Sequence, residues 1–315
     1  MRRLLEDGAT VRVLSRTAAG VPEEAAGLDV ALGSRNDAAA LDAALRGVRV
    51  VYDLARSQGP TWEDFEREDV AGARLVGERC LAHGVERLVY ASTIDGYYAG
   101  AAESTITEAT PLDARIATRN LYAQAKVAAE TALAALQERG LSLVIARPGI
   151  VIGRGASPMH GGVGEWSGLG AVATYGAGDA PLPLVLVDDC ADALARMKDR
   201  PGLDGRSFNL VGPPLLTARG YLDALERVGH LALRRTARPI WRFYAADVAK
   251  WLVKVAVRHP GRSRRPSRSD FASRTFYARF DASAARRELG WSPCDDAEEL
   301  IARGIAAPLA ELLEG

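Results

Sequence analysis

The chain has 315 residues, with 40 Lys and Arg against 40 Asp and Glu, so its formal net charge is +0 at pH 7. This balance argues against a general nucleic-acid-binding protein, and an apolar content of 48% argues against a disordered chain. Three cysteines without a CxxC pair favour reduced thiols, and four scattered histidines predict no metal site. No apolar run is long enough to suggest a transmembrane helix, and the first residues do not resemble a secretory signal. A cytoplasmic protein with one large domain or two linked lobes is therefore expected.

The first half of the chain alternates predicted strands with predicted helices. Short apolar runs predict strands at 10–14, 28–33, 48–55, 85–93 and 141–149. Apolar periodicity that ends at a glycine predicts helices at 37–47, 62–84 and 120–140. Such alternation is typical of βαβ units, so the predicted fold class is α/β: a doubly wound, Rossmann-like parallel sheet with a smaller C-terminal substrate lobe. Ligands of such sheets bind at the carboxyl ends of the strands.

The regular alternation fades after residue 150. A glycine-rich stretch at 154–181 is long for a plain connection and predicts a binding loop or lid. We therefore expect a doubly wound domain at 1–150 and mainly a second lobe at 151–315, with segments at about 183–212 returning to the first domain. A helix at 240–257 is predicted from one apolar stripe, formed by Trp241, Tyr244, Val248, Trp251 or Leu252, and Val255.

Tyr122 and Lys126 lie four residues apart in the predicted helix 120–140, so they share one helix face. A tyrosine with an ordinary pKa of about 10 needs a nearby cation to exchange protons near neutrality. The pair alone is more often a feature of an ordinary amphipathic helix. The preceding strand ends at Ser92 and Thr93, where a hydroxyl could bind a substrate oxygen or simply cap the strand end. Thr93, Tyr122 and Lys126 are therefore the candidate catalytic residues.

Several short motifs, taken together and in order, resemble a known family. They are ASTIDGYY, Tyr122-Ala-Gln-Ala-Lys126, ARPGIVIGRG, LVLVDDCADAL, FNLVG and LGWSP. Their order is similar to that of the extended short-chain dehydrogenase/reductases, the NAD-dependent epimerase/dehydratase family, over nearly the whole chain. The resemblance implies that Tyr122 is the general acid/base, that Lys126 lowers its pKa and holds the nicotinamide ribose, and that Thr93 binds the reacting oxygen.

The resemblance also implies that 1–150 is an NAD(P)-binding domain lacking its first strand and glycine loop, and that 151–315 is mainly a substrate-binding lobe. It further implies cofactor contacts and a partner. Leu54 and Ala55 match a short apolar segment beside the cofactor's phosphates and ribose, and Pro148 would lie against the cofactor. The family usually dimerises through the helices that correspond to 62–84 and 119–139, so a homodimer is implied. No nucleic-acid partner is expected.

One family feature is absent from the printed sequence. A Gly-rich turn should bind the cofactor's pyrophosphate ahead of the first predicted helix, but Met1 already matches a residue within that helix. Roughly fifteen to twenty residues would then be missing, by truncation or by natural loss, and the intact Thr93–Tyr122–Lys126 set favours truncation. Ser34 stands where the family usually has an acid, and Asp69 where it usually has an asparagine.

The cofactor prediction rests on the end of the second family strand, which corresponds to the predicted strand 10–14. An acid there would bind the ribose 2′-hydroxyl of NAD, but this chain has Ser15 and Arg16. A guanidinium suits a 2′-phosphate, so NADP is favoured and NAD remains possible, although Arg16 could be a plain surface residue.

The substrate is less determined than the cofactor. The family includes nucleotide-sugar epimerases and dehydratases and also hydroxysteroid, flavonoid and other ketone reductases, while Ile94 and Asp95 replace the Asp-Glu pair usual in dehydratases. We expect an NAD(P)-dependent oxidoreductase or epimerase acting on an alcohol or ketone, and the alternative is a non-catalytic scaffold or regulatory dimer. Trp166, Trp241 and Tyr244 could line its pocket, but core positions are favoured.

The basic segment 258–274 allows three interpretations. They are a solvated loop, a site for a substrate phosphate, and contact with an anionic membrane beside the Trp-containing helix, in decreasing order of preference.

Overall fold

The computed structural model describes residues 1–18, 21, 25–57, 59–259 and 264–314. The strands of these residues are Val11–Ser15 (β1), Leu28–Leu32 (β2), Val50–Asp53 (β3), Arg87–Ala91 (β4), Thr105–Ile106 (β5), Leu143–Pro148 (β6), Ile150–Ile152 (β7), Gly164–Trp166 (β8), Ala171–Tyr175 (β9), Leu184–Leu186 (β10), Ser207–Leu210 (β11), Arg234–Arg238 (β12) and Arg279–Phe280 (β13). The α-helices are Arg2–Glu6 (α1), Ala38–Ala44 (α2), Trp62–Phe65 (α3), Ala71–Ala82 (α4), Leu121–Gln137 (α5), Val187–Arg196 (α6), Ala218–Gly229 (α7), Ile240–Ala256 (α8), Arg268–Ser273 (α9), Ser283–Leu289 (α10), Ala297–Ile301 (α11) and Ala307–Glu314 (α12).

The chain forms two compact units, each built from three separated segments. The first unit consists of Met1–Thr93, Leu121–Arg147 and Ala191–Phe208. The second consists of Ile94–Asn120, Pro148–Cys190 and Asn209–Gly315. The domain boundary expected near residue 150 stays a proposal.

The first unit holds parallel strands with helices between them. Strands β3, β4 and β6 pair in parallel, and the sheet has the order β11-β6-β4-β3. A second parallel sheet contains β1 and β2. This arrangement confirms the predicted α/β, Rossmann-like fold. No strand pairing among the described residues joins β1 to β3, so each of these strands has an open edge. The expectation about a segment ahead of Met1 stays a prediction.

The core of the first unit lies between its central sheet and the helices α4 and α5. Leu88 and Tyr90 of β4 pack with Leu133 of α5 in one buried cluster. Gly77 lets the two helices approach closely, because a Cβ there would lie 2.9 Å from Leu133 Cδ2 and 2.7 Å from Leu136 Cδ1. All side chains from Arg87 to Tyr90 are buried, as expected for a strand covered by helices on both faces.

The predicted helix 62–84 is not one regular α-helix. It consists of α3, a π-helical turn at Glu66–Val70 and α4. Thr61 caps its start, with Asp64 completing a reciprocal capping box. The π turn adds a residue to the helical repeat and carries Asp69 in a buried position.

The second unit contains the other sheets and the helix α8. The prediction of a helix at 240–257 is confirmed, and Phe243 on its inward face packs with Tyr175 at 5.0 Å between ring centroids. The core position favoured for Trp241 is wrong, since this side chain is 61% exposed. Tyr244 packs against the Tyr175–Phe243 cluster, and Trp166 packs against the main core of this unit.

A fully buried arginine joins distant segments of the second unit. The Arg119 guanidinium lies 2.8 Å from Asp95, 3.1 Å from Asp113 and 3.3 Å from Asp270. Asp270 also accepts a hydrogen bond from the backbone N–H of Asn120 at 2.9 Å. Burial opposes the charge on Asp270, but Arg274 and Arg119 outweigh it and hold the pKa of this carboxyl below its usual value.

Candidate active site

Lys126 is the best-defined polar group of the candidate site. It lies on the second turn of α5 and is only 3% exposed. Its ammonium donates to the carbonyl oxygen of Ala55 at 3.0 Å, just after β3, and to that of Ala91 at 2.8 Å, the last residue of β4. An ammonium has three donors, and the third has no partner among the described residues. One cation therefore joins the carboxyl ends of two neighbouring strands and keeps a free donor.

The surroundings of Lys126 act on its charge in opposite directions. Burial lowers the pKa of the ammonium, while the carboxylates Asp53 and Asp69 oppose this shift. The ring of Tyr90 lies beside the cation, with 4.9 Å between Nζ and the ring centroid. The net effect is a lysine that releases its proton more easily than an exposed one.

The other two candidate catalytic residues lie on the same unit. Tyr122 is half-buried, one turn before Lys126 on α5. Thr93 is buried and lies two residues after Ala91, whose carbonyl accepts from Lys126. The hydroxyl of Ser92 is buried without a hydrogen-bond partner among the described residues, so it does not cap the strand end. The structure thus brings α5 to the end of β4, where a substrate oxygen was expected.

The segment after β3 forms an exposed ledge beside the lysine. Leu54 is 55% exposed, and Ala55 is also exposed although its carbonyl is held by Lys126. Asp53, just before them, is buried and accepts from the backbone N–H of Ala55 at 3.3 Å. Leu54 and Ala55 therefore offer open apolar surface beside the carbonyl that Lys126 holds.

Buried ion pairs hold the backbone of this segment, the ledge, in place. Arg35 donates to both oxygens of Asp53, at 2.9 and 2.7 Å, and to Asp69 at 3.1 Å. Asp69 in turn accepts from the backbone N–H of Ser57 at 2.8 Å. Burial raises the pKa of Asp69 above its usual value. The two carboxylates hold the backbone at both ends of the ledge, and Arg35 joins them.

Sequence reasoning missed the roles of Arg35 and Asp53. The one indication in the sequence was Asp69, which stands where the family usually has an asparagine. An acid in the middle of a helix that packs on a core needs a cation nearby. Its cation, Arg35, lies 34 positions earlier in the chain, and only the fold brings the two together.

Two of the predicted cofactor residues make no hydrogen bond to Lys126 among the described residues. Arg16 follows β1 and is exposed, and no contact among the described residues joins it to Lys126. Pro148 is the last residue of β6 and belongs to the second unit. Their roles towards a cofactor stay predictions.

Comparison with known proteins assigns this arrangement to a family. Residues 1–210 match the model of the NAD dependent epimerase/dehydratase family. The chain is 25% identical over 297 residues to 2-alkyl-3-oxoalkanoate reductase of Shewanella oneidensis, covering 89% of this chain and 75% of the relative. It is 28% identical over 224 residues to (4-alkanoyl-5-oxo-2,5-dihydrofuran-3-yl)methyl phosphate reductase of Streptomyces griseus, covering 71% of this chain and 67% of the relative.

The crystal structure of gox2253 has the same fold. It superposes with a TM-score of 0.80 at 21% identity, covering 99% of this chain and 93% of that one. This likeness supports the Rossmann-like architecture of the chain.

Proposed function

The chain belongs to the NAD-dependent epimerase/dehydratase family and is an oxidoreductase-type enzyme that uses a nicotinamide cofactor, and from this premise we propose that it reduces the ketone of a small alkyl-bearing oxo compound with NADPH. The observation that carries the proposal is the buried Lys126 ammonium, held at the ends of β3 and β4 one helical turn after Tyr122.

Tyr122 is the proposed proton donor. Its hydroxyl protonates the substrate's carbonyl oxygen as the carbonyl carbon accepts a hydride, so that the C=O group becomes CH–OH. The bound nicotinamide supplies that hydride. Lys126 favours the resulting phenolate through its positive charge, and solvent returns a proton to Tyr122. Thr93 donates a hydrogen bond to the same substrate oxygen and orients it.

The residues around Lys126 fit a nicotinamide nucleotide. The free donor of Lys126 suits a ribose hydroxyl, and the exposed Leu54 and Ala55 offer apolar surface beside it. Arg16, at the end of β1, is exposed and suits a 2′-phosphate, which favours NADP over NAD. A cofactor contact of Pro148 is proposed from the family likeness alone.

The substrate class is proposed from the two curated relatives. Both are named as reductases, and both names combine an oxo group with an alkyl or alkanoyl chain. A 3-oxo acid with an alkyl chain is accordingly the first compound to test. A nucleotide sugar is the second, because the family description includes epimerases.

The test follows NADPH absorbance with the 315-residue chain and a series of 2-alkyl-3-oxoalkanoates. The variant Tyr122→Phe should lose at least about a hundredfold in kcat, the usual contribution of a general acid, while it still binds NADPH in a fluorescence titration. Tyr277→Phe, an exposed tyrosine of the second unit, is the matched control and should keep full activity. Undiminished turnover by Tyr122→Phe would contradict the proposed role.

The same assay separates the reductase from an epimerase. A reductase consumes one NADPH per product, whereas an epimerase converts UDP-glucose without net loss of cofactor. No NADPH consumption with any oxo acid, together with conversion of the nucleotide sugar, would replace the proposed reaction.

We also propose a homodimer in the cytoplasm. Three free cysteines, two of them buried, suit a reducing compartment, and the helices α4 and α5 are the dimer surface that the family likeness suggests. Sedimentation velocity would test the dimer, and a monomer at all accessible concentrations would exclude it.

A further inference from the structure

The outward face of α8 carries an apolar stripe over most of its length, beside the exposed Arg242. Trp241, Ala245, Ala249, Leu252 and Ala256 follow one another at i, i+4, i+8, i+11 and i+15, and all five are exposed. The outward face of a surface helix is normally polar, because water must solvate it. This stripe therefore points to something other than solvent that covers the helix.

The end of α8 extends the exposed apolar area. Every residue from 252 to 259 is exposed, and Val253 and Val257 are exposed by 61% and 66%. Contiguous exposed apolar area of this kind marks interaction sites. The α8 surface is defined here by Trp241, Ala245, Ala249, Leu252, Val253, Val255, Ala256 and Val257.

Basic residues lie on α8 and follow it in the sequence. The sequence from 248 to 269 holds seven Lys and Arg and no Asp or Glu, in a chain whose overall charge is zero. Lys250 and Lys254 are exposed on α8, and neither has a carboxylate within 4 Å among the described residues. Arg264 and Arg265, further along, are exposed as well. Within 248–269 the charge in the sequence is thus of one sign, and the acid next to this stretch on α8, Asp247, is half-buried.

We propose that the α8 surface docks on an anionic lipid membrane, with α8 lying in the plane of the interface. A helix with an apolar, Trp-containing face and a Lys- and Arg-rich border is typical of interfacial binding. The apolar stripe enters the boundary between headgroups and acyl chains, and the basic border contacts the anionic headgroups. None of the described helices combines the length and apolarity needed to cross a bilayer, so α8 lies on the membrane.

A second copy of the chain fits this surface less well. In a symmetric dimer the same patch meets itself, so Lys250 and Lys254 of one copy would face a like-charged border on the other. Such like-charge contacts are unfavourable, whereas an anionic membrane neutralises both residues. The membrane proposal does not depend on the proposed reaction.

The experiment is vesicle co-sedimentation of the full chain. Vesicles of equal parts phosphatidylcholine and phosphatidylglycerol should bind it saturably and less at high salt, while phosphatidylcholine vesicles should bind it weakly. Equal binding to both vesicles, or binding to neither, would overturn the proposal.

Paired variants test the two parts of the surface. Lys250→Gln with Lys254→Gln should weaken partitioning about twenty-five-fold, since each basic residue near an anionic surface contributes a factor of about five. The separate variant Leu252→Gln with Val253→Gln, made in the parent chain, should lose most of its vesicle binding.

The matched control is Leu312→Gln with Leu313→Gln, two exposed leucines of α12 that should leave binding unchanged. Because all these positions are exposed, circular dichroism should show the same fold for every variant. Unchanged vesicle binding by the Leu252/Val253 variant would refute the surface. A dimer that this variant dissociates, without any vesicle binding by the parent chain, would assign the surface to a contact between copies.

Discussion

Placing an ammonium among backbone carbonyls, away from water, makes Lys126 both well oriented and easier to deprotonate. Two carbonyls from different strands fix its position, so the side chain loses little freedom when a cofactor arrives. Its burial lowers its pKa, and this has a consequence for activity at alkaline pH.

The first prediction concerns the alkaline side of the pH profile. Lys126 should lose its proton at a pH below 10.5, the ordinary value for lysine, because its pKa is lowered. A neutral lysine no longer favours the Tyr122 phenolate, so kcat/KM should fall as the pH rises through that point. The measurement is kcat/KM against pH for the parent chain and for Lys126→Arg, whose guanidinium stays charged. The fall should move to higher pH in the variant, and coincident profiles would contradict the role of Lys126.

The second prediction concerns cofactor choice at Arg16. Hydrogen bonds to a charged group contribute about 1.5–3 kcal/mol, so Arg16→Ala should raise the KM for NADPH by about ten- to a hundredfold. The KM for NADH should stay unchanged, and so should stability, because Arg16 is exposed. Arg46→Ala, another exposed arginine, serves as the control. Equal changes in the KM for NADPH and NADH would show that Arg16 does not recognise the 2′-phosphate.

At the scale of elements, the ledge after β3 depends on side chains from three other places in the chain. Lys126 holds the carbonyl of Ala55, while Arg35 holds Asp53 and Asp69, which in turn bind the backbone of Ala55 and Ser57. A loop with so many fixed groups is rigid for a connection between a strand and a helix.

The third prediction removes the cation of this network. Arg35→Met leaves two buried carboxylates without their partner and should lower the free energy of unfolding by about 3–5 kcal/mol. The control is Arg49→Met, which breaks an exposed pair with Glu86 and should cost at most about 1 kcal/mol. Urea unfolding of both variants measures the difference. Similar losses for the two would show that the network contributes no more than a surface pair.

The elements themselves were predictable, but the π turn was not. Apolar periodicity and terminal glycines located the long helices, because those signals depend on residues near in sequence. The turn at Glu66–Val70 depends on burying Asp69 against Arg35, a partner from another element. The same limit applies to α8, whose apolar spacing predicted the helix without saying which face meets the core.

For the molecule as a whole, the alternation of apolar strands and helices predicted the fold class, while the carbonyls that hold Lys126 at the strand ends were not predicted. Arg35 and Asp53 escaped prediction because their ion pairs join residues far apart in the chain. The exposure of Trp241 was not predicted either. The helical pattern alone does not say that Phe243 faces the core, because that choice depends on tertiary packing.

The fourth prediction concerns stability in acid. His160 is half-buried, its two ring nitrogens are buried without partners among the described residues, and it packs edge-on to Tyr221 at 4.6 Å. Burial lowers the pKa of His160 to about 4 from 6.5. Between these values the unfolded chain binds one proton more than the folded chain, so the free energy of unfolding should fall by about 1.4 kcal/mol per unit as the pH is lowered.

Replacement by phenylalanine tests this prediction. His160→Phe keeps a ring against Tyr221 and removes the titrating group, so its pH slope over this range should be smaller by about one proton. Urea unfolding at several pH values gives the slope. His230→Asn changes an exposed histidine and should keep the parent slope. Parallel slopes for His160→Phe and the parent would contradict the prediction.

The Arg119 cluster also has a consequence for the time course of synthesis. Asp270 follows Arg119 by 151 positions in the chain. At roughly 5–20 residues per second, a ribosome adds Asp270 about 8–30 s after Arg119. Until then the guanidinium lacks one of its three carboxylates and the backbone N–H of Asn120 lacks its acceptor. The segment at Arg119 and Asn120 therefore completes its polar contacts only when most of the polypeptide has been made.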